Sequence, residues 1–273
     1  MCWRRCRGTG VRRVAELQLL VAALGGALVG FSLALVGGGG SILAVPILVY
    51  AVGVRDPHLA IGTSAIGVAA NAAIGLVGKA RAGAVKWRCG LVFAAAGIAG
   101  AALGSIAGKA FDGQALLALF ALLMIVVGVL MLRRGEQPGK ADARLGRDNA
   151  GKLLLYGFGT GLLSGFFGIG GGFLVVPGLI AATAMPIYNA MATSLVAVTG
   201  FGVTTAASYA LSGLVAWGIA AAFIAGGLAG SLIGGRLAVR LSARRGALTK
   251  IFAALIFVVA AYMLWQASGA LLR

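Results

Sequence analysis

One glycine-rich stretch occurs twice, and its recurrence constrains the rest of the chain. Gly37 to Pro46 reads GGGGSILAVP, and Gly168 to Pro177 reads GIGGGFLVVP. Superposed, Gly37, Gly39 and Gly40 fall on Gly168, Gly170 and Gly171, and Leu43, Val45 and Pro46 fall on Leu174, Val176 and Pro177. With the register shifted by one residue, Thr63-Ser64 meets Thr193-Ser194, Gly83 meets Gly213, and Trp87 meets Trp217. Gly97, Gly100 and Gly104 then meet Gly227, Gly230 and Gly234, and further on, after a two-residue shift the other way, Phe120, Met131 and Leu132 meet Phe252, Met263 and Leu264. The chain is therefore two homologous halves, and so long a period excludes the short solenoid repeats.

Each half must fold in lipid. Of 273 residues, 60% are hydrophobic and 11% charged, and the mean hydropathy is +1.02, outside the range of soluble domains. The 46 glycines suit membrane helices, which approach closely where side chains are small. A net charge of +17 would suggest nucleic acid in a soluble chain. Here the basic residues cluster between apolar runs, as in cytoplasmic loops, so the partner is a lipid bilayer and not nucleic acid. Cys2, Cys6 and Cys89 form no disulfide or metal-binding pattern. His58 follows Pro57 and reads as a loop or helix-start residue.

Residues 1–13 form a basic leader, read as retained because no cleavage site follows an apolar core of ordinary length. Repeat 1 covers 14–132. Val14 to Val36 is long enough to span a bilayer. Ser41 to Gly53, which carries Pro46, is too short and is expected to form a half-helix or re-entrant arm. Spans follow at Leu59 to Gly78, Cys89 to Gly108 and Gln114 to Leu132. A polar linker, 133–152, carries Arg133, Arg134, Lys140, Arg144, Arg147 and Lys152. Repeat 2, 153–267, repeats the plan with Leu153 to Phe167, a short run Phe173 to Ala184, then Pro186 to Leu211, Val215 to Leu237 and Leu248 to Ala267, before a tail at 268–273. The expected fold is all-α, a polytopic transmembrane bundle with six long spans and two glycine-broken arms.

Equivalent loops carry opposite charge. The loop with Lys79, Arg81, Lys86 and Arg88 corresponds to the uncharged 212–217, and the nearly neutral 109–113 corresponds to the basic 236–250. The linker corresponds to a tail with only Arg273. Opposite bias in all three pairs is the mark of inverted-topology repeats. It also requires an outside N-terminus, against Arg4, Arg5, Arg7, Arg12 and Arg13. Three solutions stay open: a first segment that is re-entrant or lies on the inner surface, a leader that disobeys the charge rule, or repeats that are not inverted.

A glycine cluster inside an apolar run breaks the helix and frees backbone N–H groups. Such a break must be buried in protein or line a polar cavity. The amides and dipole at the start of the following short helix favour an anion. In inverted halves, Gly39, Gly40 and Ser41 would meet Gly170, Gly171 and Gly172 near the midplane, where repeat-built transporters place their substrate. The pairs Thr63/Ser64 and Thr193/Ser194 would complete the ring of donors, and Asn71, about two turns beyond Ser64, would face the same cavity. The alternative is structural: glycines also serve close packing, and membrane hydroxyls also bond their own helix backbone.

The six acidic residues all lie in loops or near segment ends, so no midplane carboxylate offers a proton relay or cation site. No Walker loop or metal-ligand cluster is present in the sequence. These features point away from an enzyme, imply no cofactor, and leave a secondary carrier or channel for a small anionic substrate. With the interior negative, each anionic charge leaving gains roughly 2.3 kcal/mol per 100 mV.

The twin blocks GGGGSILAVP and GIGGGFLVVP, each followed by Thr-Ser (AIGTSAIG, AMATSLVAV), a G-x-V-x-W element (GAVKW, GLVAW) and a glycine-stepped helix, resemble the sulfite exporter TauE/SafE family over about residues 20–267. The resemblance implies a multi-pass carrier of the bacterial inner membrane for sulfite, related sulfur oxyanions or organosulfonates. The copies differ at Gly38 and Ser41, where the second has Ile169 and Gly172, and the arginine-rich leader is not typical of the family. Two other readings are a non-transporting membrane scaffold or accessory subunit, and an uptake permease for another small solute. Oligomeric state is left open.

Overall fold

The computed structural model describes residues 3–134, 147–168, 170, 172–242, 254, 257–259 and 261–262. The expectations for residues 1–2, for the linker over 135–146, for the tail, and for most of the basic loop 236–250 and the last span fall outside them, as does Gly171. All regular elements among the described residues are helical.

The first half runs α1 (Trp3–Val36), a 3-10 turn (Gly37–Leu43), α2 (Ala44–Pro46), a π-helical segment (Ile47–Ala51), α3 (Pro57–Arg81), α4 (Trp87–Lys109) and α5 (Gly113–Arg134). The second runs α6 (Arg147–Phe167), α7 (Gly172–Thr183), α8 (Ile187–Leu211) and α9 (Trp217–Ser242). Among the described residues six helical stretches are long and apolar enough to cross a membrane, and Gly40–Ala51 and Gly172–Thr183 are shorter apolar arms. The protein is thus an all-α polytopic bundle. The short arm expected after each glycine break is present in both halves, but the first is not a plain helix. It passes from 3-10 through one α turn to π geometry around Pro46, which has no N–H to donate.

Local chemistry sets the helix ends. Asp56 caps α3 by accepting from the His58 backbone N–H at 2.9 Å, with Pro57 at the first helical position. Asp112 accepts from Ala115 N–H at 2.9 Å to start α5. Trp87 and Trp217 open α4 and α9 and stand exposed, as interfacial anchors do. Leu103, Ile106, Leu122 and Leu155 also face outward, where the surrounding medium is lipid.

The halves exchange their first helices. α1 packs along α9, and α6 packs along α4. A methyl at Gly226, Gly230 or Gly234 would strike the carbonyl of Ala23, Ala27 or Phe31. One at Gly100, Gly104 or Gly108 would strike that of Phe158, Leu162 or Phe166. The backbones therefore touch along both seams, which is the use of small residues in membrane packing. Increasing number pairs with increasing number in both seams, so α1 runs with α9 and α6 runs with α4.

α3 and α8 pack on each other in the opposite sense. Thr193, near the start of α8, accepts from Lys86 N–H just past α3 at 3.0 Å. Thr63, near the start of α3, accepts from Ala216 N–H just past α8 at 3.0 Å. With short turns reversing α3 into α4 and α8 into α9, one set of helices (α1, α3, α9) runs against the other (α4, α6, α8). Helices at equivalent places in the two halves thus point in opposite directions.

Candidate functional site

The two glycine breaks meet inside this frame. Gly37, Gly168 and Gly170 have φ of 71°, 67° and 68°, the left-handed region open to glycine. Each turn is seated against the other half: a methyl on Gly37 would strike the Met191 carbonyl, and one on Gly168 the Ile61 side chain. Ile61 and Met191 occupy equivalent places in the repeat. The turns also touch one another, because a methyl on Gly172 would collide with the Gly38 carbonyl, and one on Gly38 would sit 2.8 Å from Gly172 Cα. Val68 and Val198, again equivalent, flank Gly170 at 2.9 and 3.6 Å from where its Cβ would lie.

The serines reach across to these turns. Ser194 Oγ accepts from Gly38 N–H at 3.0 Å and donates to Met191 O at 2.8 Å. Ser64 Oγ donates to Ile61 O at 2.8 Å and lies 3.5 Å from Gly168 O. Ser41 Oγ closes its own turn by donating to Gly38 O at 2.9 Å. All three serines are fully buried.

The threonines beside them serve a different purpose. Thr63 donates to Leu59 O at 2.6 Å and accepts from Ala216 N–H, and Thr193 accepts from Lys86 N–H. Both hydroxyls satisfy amides just ahead of Trp217 and Trp87, where a helix start leaves donors without intrahelical partners. They join the halves at the starts of α3 and α8, next in sequence to the serines that face the glycine turns.

Asn71 is fully buried, and neither Oδ1 nor Nδ2 has a partner. It lies one turn past Val68 and two past Ser64 on α3, so these three share a face. Its amide abuts Gly227 of α9, where a methyl would collide with it. The equivalent residue in α8 is Phe201, which stacks on Phe93 with centroids 6.4 Å apart and abuts Gly97. The two halves thus differ at this position, an amide against α9 in one and a phenyl ring against α4 in the other. Gly40 sits against the α1 backbone at Ser32 and Leu33, where a side chain would collide, so a substitution there disrupts packing as well as any site. Gly39 lies within the first turn.

Sequence reading missed further buried hydroxyls without partners: Ser164, Thr205 and Tyr209. Thr205 follows Ser194 by three turns along α8. A Ser or Thr in an apolar helix ordinarily bonds the preceding turn, so sequence offered no signal that these do not. In a bilayer an unpartnered buried polar group is costly, and these lie on α6 and α8 rather than on the glycine turns. Glu16, Asp56 and Asp112 are exposed.

A family model described as Sulfite exporter TauE/SafE matches residues 22–263. A probable membrane transporter protein of Xylella fastidiosa strain Temecula1 is 48% identical over 261 residues, covering 93% of this chain and 98% of that protein. A probable membrane transporter protein of Bacillus subtilis is 28% identical over 231 residues, covering 77% and 85%. One of Methanocaldococcus jannaschii is 29% identical over 187 residues, covering 66% and 67%. No solved structure matches.

Proposed function

The chain belongs to the sulfite exporter TauE/SafE family of membrane transporters, and on that premise we propose that it exports a small anion, with sulfite or a related sulfur oxyanion or organosulfonate as cargo. The protein is a multi-pass protein of the inner membrane, acting as a secondary transporter with no catalytic step. The observation that carries this reading is the meeting of the two glycine turns at Gly38 and Gly172, with the unpartnered amide of Asn71 on the α3 face that also carries Ser64 and Val68. A helix break buried in a membrane protein leaves backbone donors that lipid cannot satisfy; Ser194 meets the one at Gly38, and a dehydrated anion would meet others in the transport cycle. Asn71 Nδ2 would add a side-chain donor. Gly39, Gly40, Ser41, Gly170 and Gly172 supply the turns, and Ser64 and Ser194 hold them in place; Gly171, expected from the sequence to join them, lies outside the described residues. Thr63 and Thr193, assigned at first to the ring of donors, act in this reading through the helix starts they cap.

The repeats are taken as inverted, related by a pseudo-two-fold axis in the membrane plane. This is supported by the opposite directions of α1 and α6, α3 and α8, and α4 and α9, and by the reciprocal packing of first helices. Two inverted halves closing on one centre can expose it alternately to either side. On this orientation Lys79, Arg81, Lys86 and Arg88 lie on the cytoplasmic face, and α1 enters from outside.

Flux from liposomes loaded in turn with sulfite, sulfate and an alkyl sulfonate tests the reading. The protein should release at least one of these, and Asn71→Ala should cut the rate at least about tenfold, the loss of one buried hydrogen bond to an anion. Wild-type protein that is folded and moves none of them refutes anion export. Wild-type flux in Asn71→Ala removes Asn71 from the site.

A further inference from the structure

The starts of α3 and α8 are equivalent in the repeat but differ in how their free amides are met. At α3, Asp56 brings its own carboxylate, accepting from His58 N–H at 2.9 Å. At α8 the equivalent residue is Pro186, and no side chain caps the helix. The first amides of α8, at Ile187, Tyr188 and Asn189, have no carbonyl within the helix to bond, and Ala190 N–H is the first to bond back, to Pro186 O at 3.0 Å. A helix of this length concentrates positive potential at that end.

A buried cation stands over the same turn. Lys79, in the last turn of α3, is 7% exposed, and its Nζ lies 4.8 Å from the centre of the Tyr188 ring. Among the described residues its ammonium meets this ring and no carboxylate. The turn from α3 to α4 closes over it, with Ala84 N–H donating to Lys79 O at 3.2 Å and Asn189 Nδ2 donating to Ala84 O at 2.9 Å. A lysine side chain held this deep at a helix end, with an aromatic face against its ammonium, favours a negative charge beside it.

We propose that the first turn of α8 and Lys79 form an anion-binding station on the basic side of the membrane. It would take a free small oxyanion through the Nζ of Lys79 and the backbone N–H groups of Tyr188 and Asn189. At the other end of the pair, Asp56 fills the corresponding position as a tethered anion, and at α8 the anion is mobile. Tyr188 precedes Ser194 by about 9 Å along the helix, and Ser194 holds Gly38. The station therefore lies between the basic face and the depth of the glycine turns along α8. The proposal rests on the transport reading for its purpose but not for its test.

The test is thermal unfolding of the full chain in nanodiscs of zwitterionic lipid, titrated with sulfate and with sulfite. Wild-type protein should be stabilised saturably. Lys79→Met should raise the apparent Kd at least about tenfold, and Lys79→Arg should keep it within about threefold, since an ionic hydrogen bond is lost in one and kept in the other. Pro186→Asp, which installs the cap that α3 carries, should melt higher than wild type without anion and lose the response. The station is refuted if wild type shows no response, if Lys79→Met and Pro186→Asp both respond like wild type, or if only added phosphatidylglycerol stabilises, which would make the group a lipid headgroup site. An intact, Lys79-dependent response with no flux in liposomes would keep the station and refute export alone.

Discussion

Ser194→Ala and Ser64→Ala are the same change at equivalent places in the two halves, yet they should differ in cost. Ser194 Oγ is the acceptor for the buried N–H of Gly38 at 3.0 Å. Removing it strands a donor in a core shielded from water by protein and lipid, which costs about 1–3 kcal/mol. Ser64 Oγ is 3.5 Å from Gly168 O, at the limit of a hydrogen bond. Its firm bond is to Ile61 O in its own helix, and that carbonyl keeps its ladder position, so the loss should be about 0.5 kcal/mol. Equilibrium unfolding in mixed micelles measures both. Ser194→Ala should shift the folded-to-unfolded ratio roughly 5- to 150-fold and Ser64→Ala about twofold. Equal losses, or a larger one at Ser64, would refute the claim that the first glycine turn is held from the opposite half by this hydroxyl.

Two further outcomes follow from the packing and the helix directions. Gly230→Val should abolish folded protein in size-exclusion profiles, because the Ala27 carbonyl occupies the space. Gly218→Ala, where nothing lies within 4 Å, should be neutral or gain up to about 1 kcal/mol from helix propensity. For topology, a membrane-impermeant maleimide applied from outside should label leader cysteines Cys2 and Cys6 but leave buried Cys89 unlabelled. Labelling of Cys2 and Cys6 only after lysis would place the leader inside and overturn the orientation assigned to α1.

The leader shows how far charge alone can be taken. Its five arginines argue for an inside N-terminus, while α1 runs parallel to α9, whose far end carries Arg236. Packing along the Gly226, Gly230 and Gly234 seam fixes the direction of α1 relative to its neighbours. Loop charges only bias which side the whole bundle presents.

Hydropathy, glycine spacing and the repeat determined the helices, the two broken arms and the pairing of equivalent residues, since these depend on local composition and on comparing the chain with itself. Only the tertiary structure decided that first helices cross to the other half, that Ser194 and Thr193, neighbours in sequence, serve different elements, and that Asn71 and Lys79 are buried without a polar partner among the described residues. The physical reason lies in the solvent. Lipid is as apolar as the protein core, so a spanning helix carries no polar stripe to say which face turns inward. Contacts between residues far apart in the chain are then settled by backbone fit at the glycines.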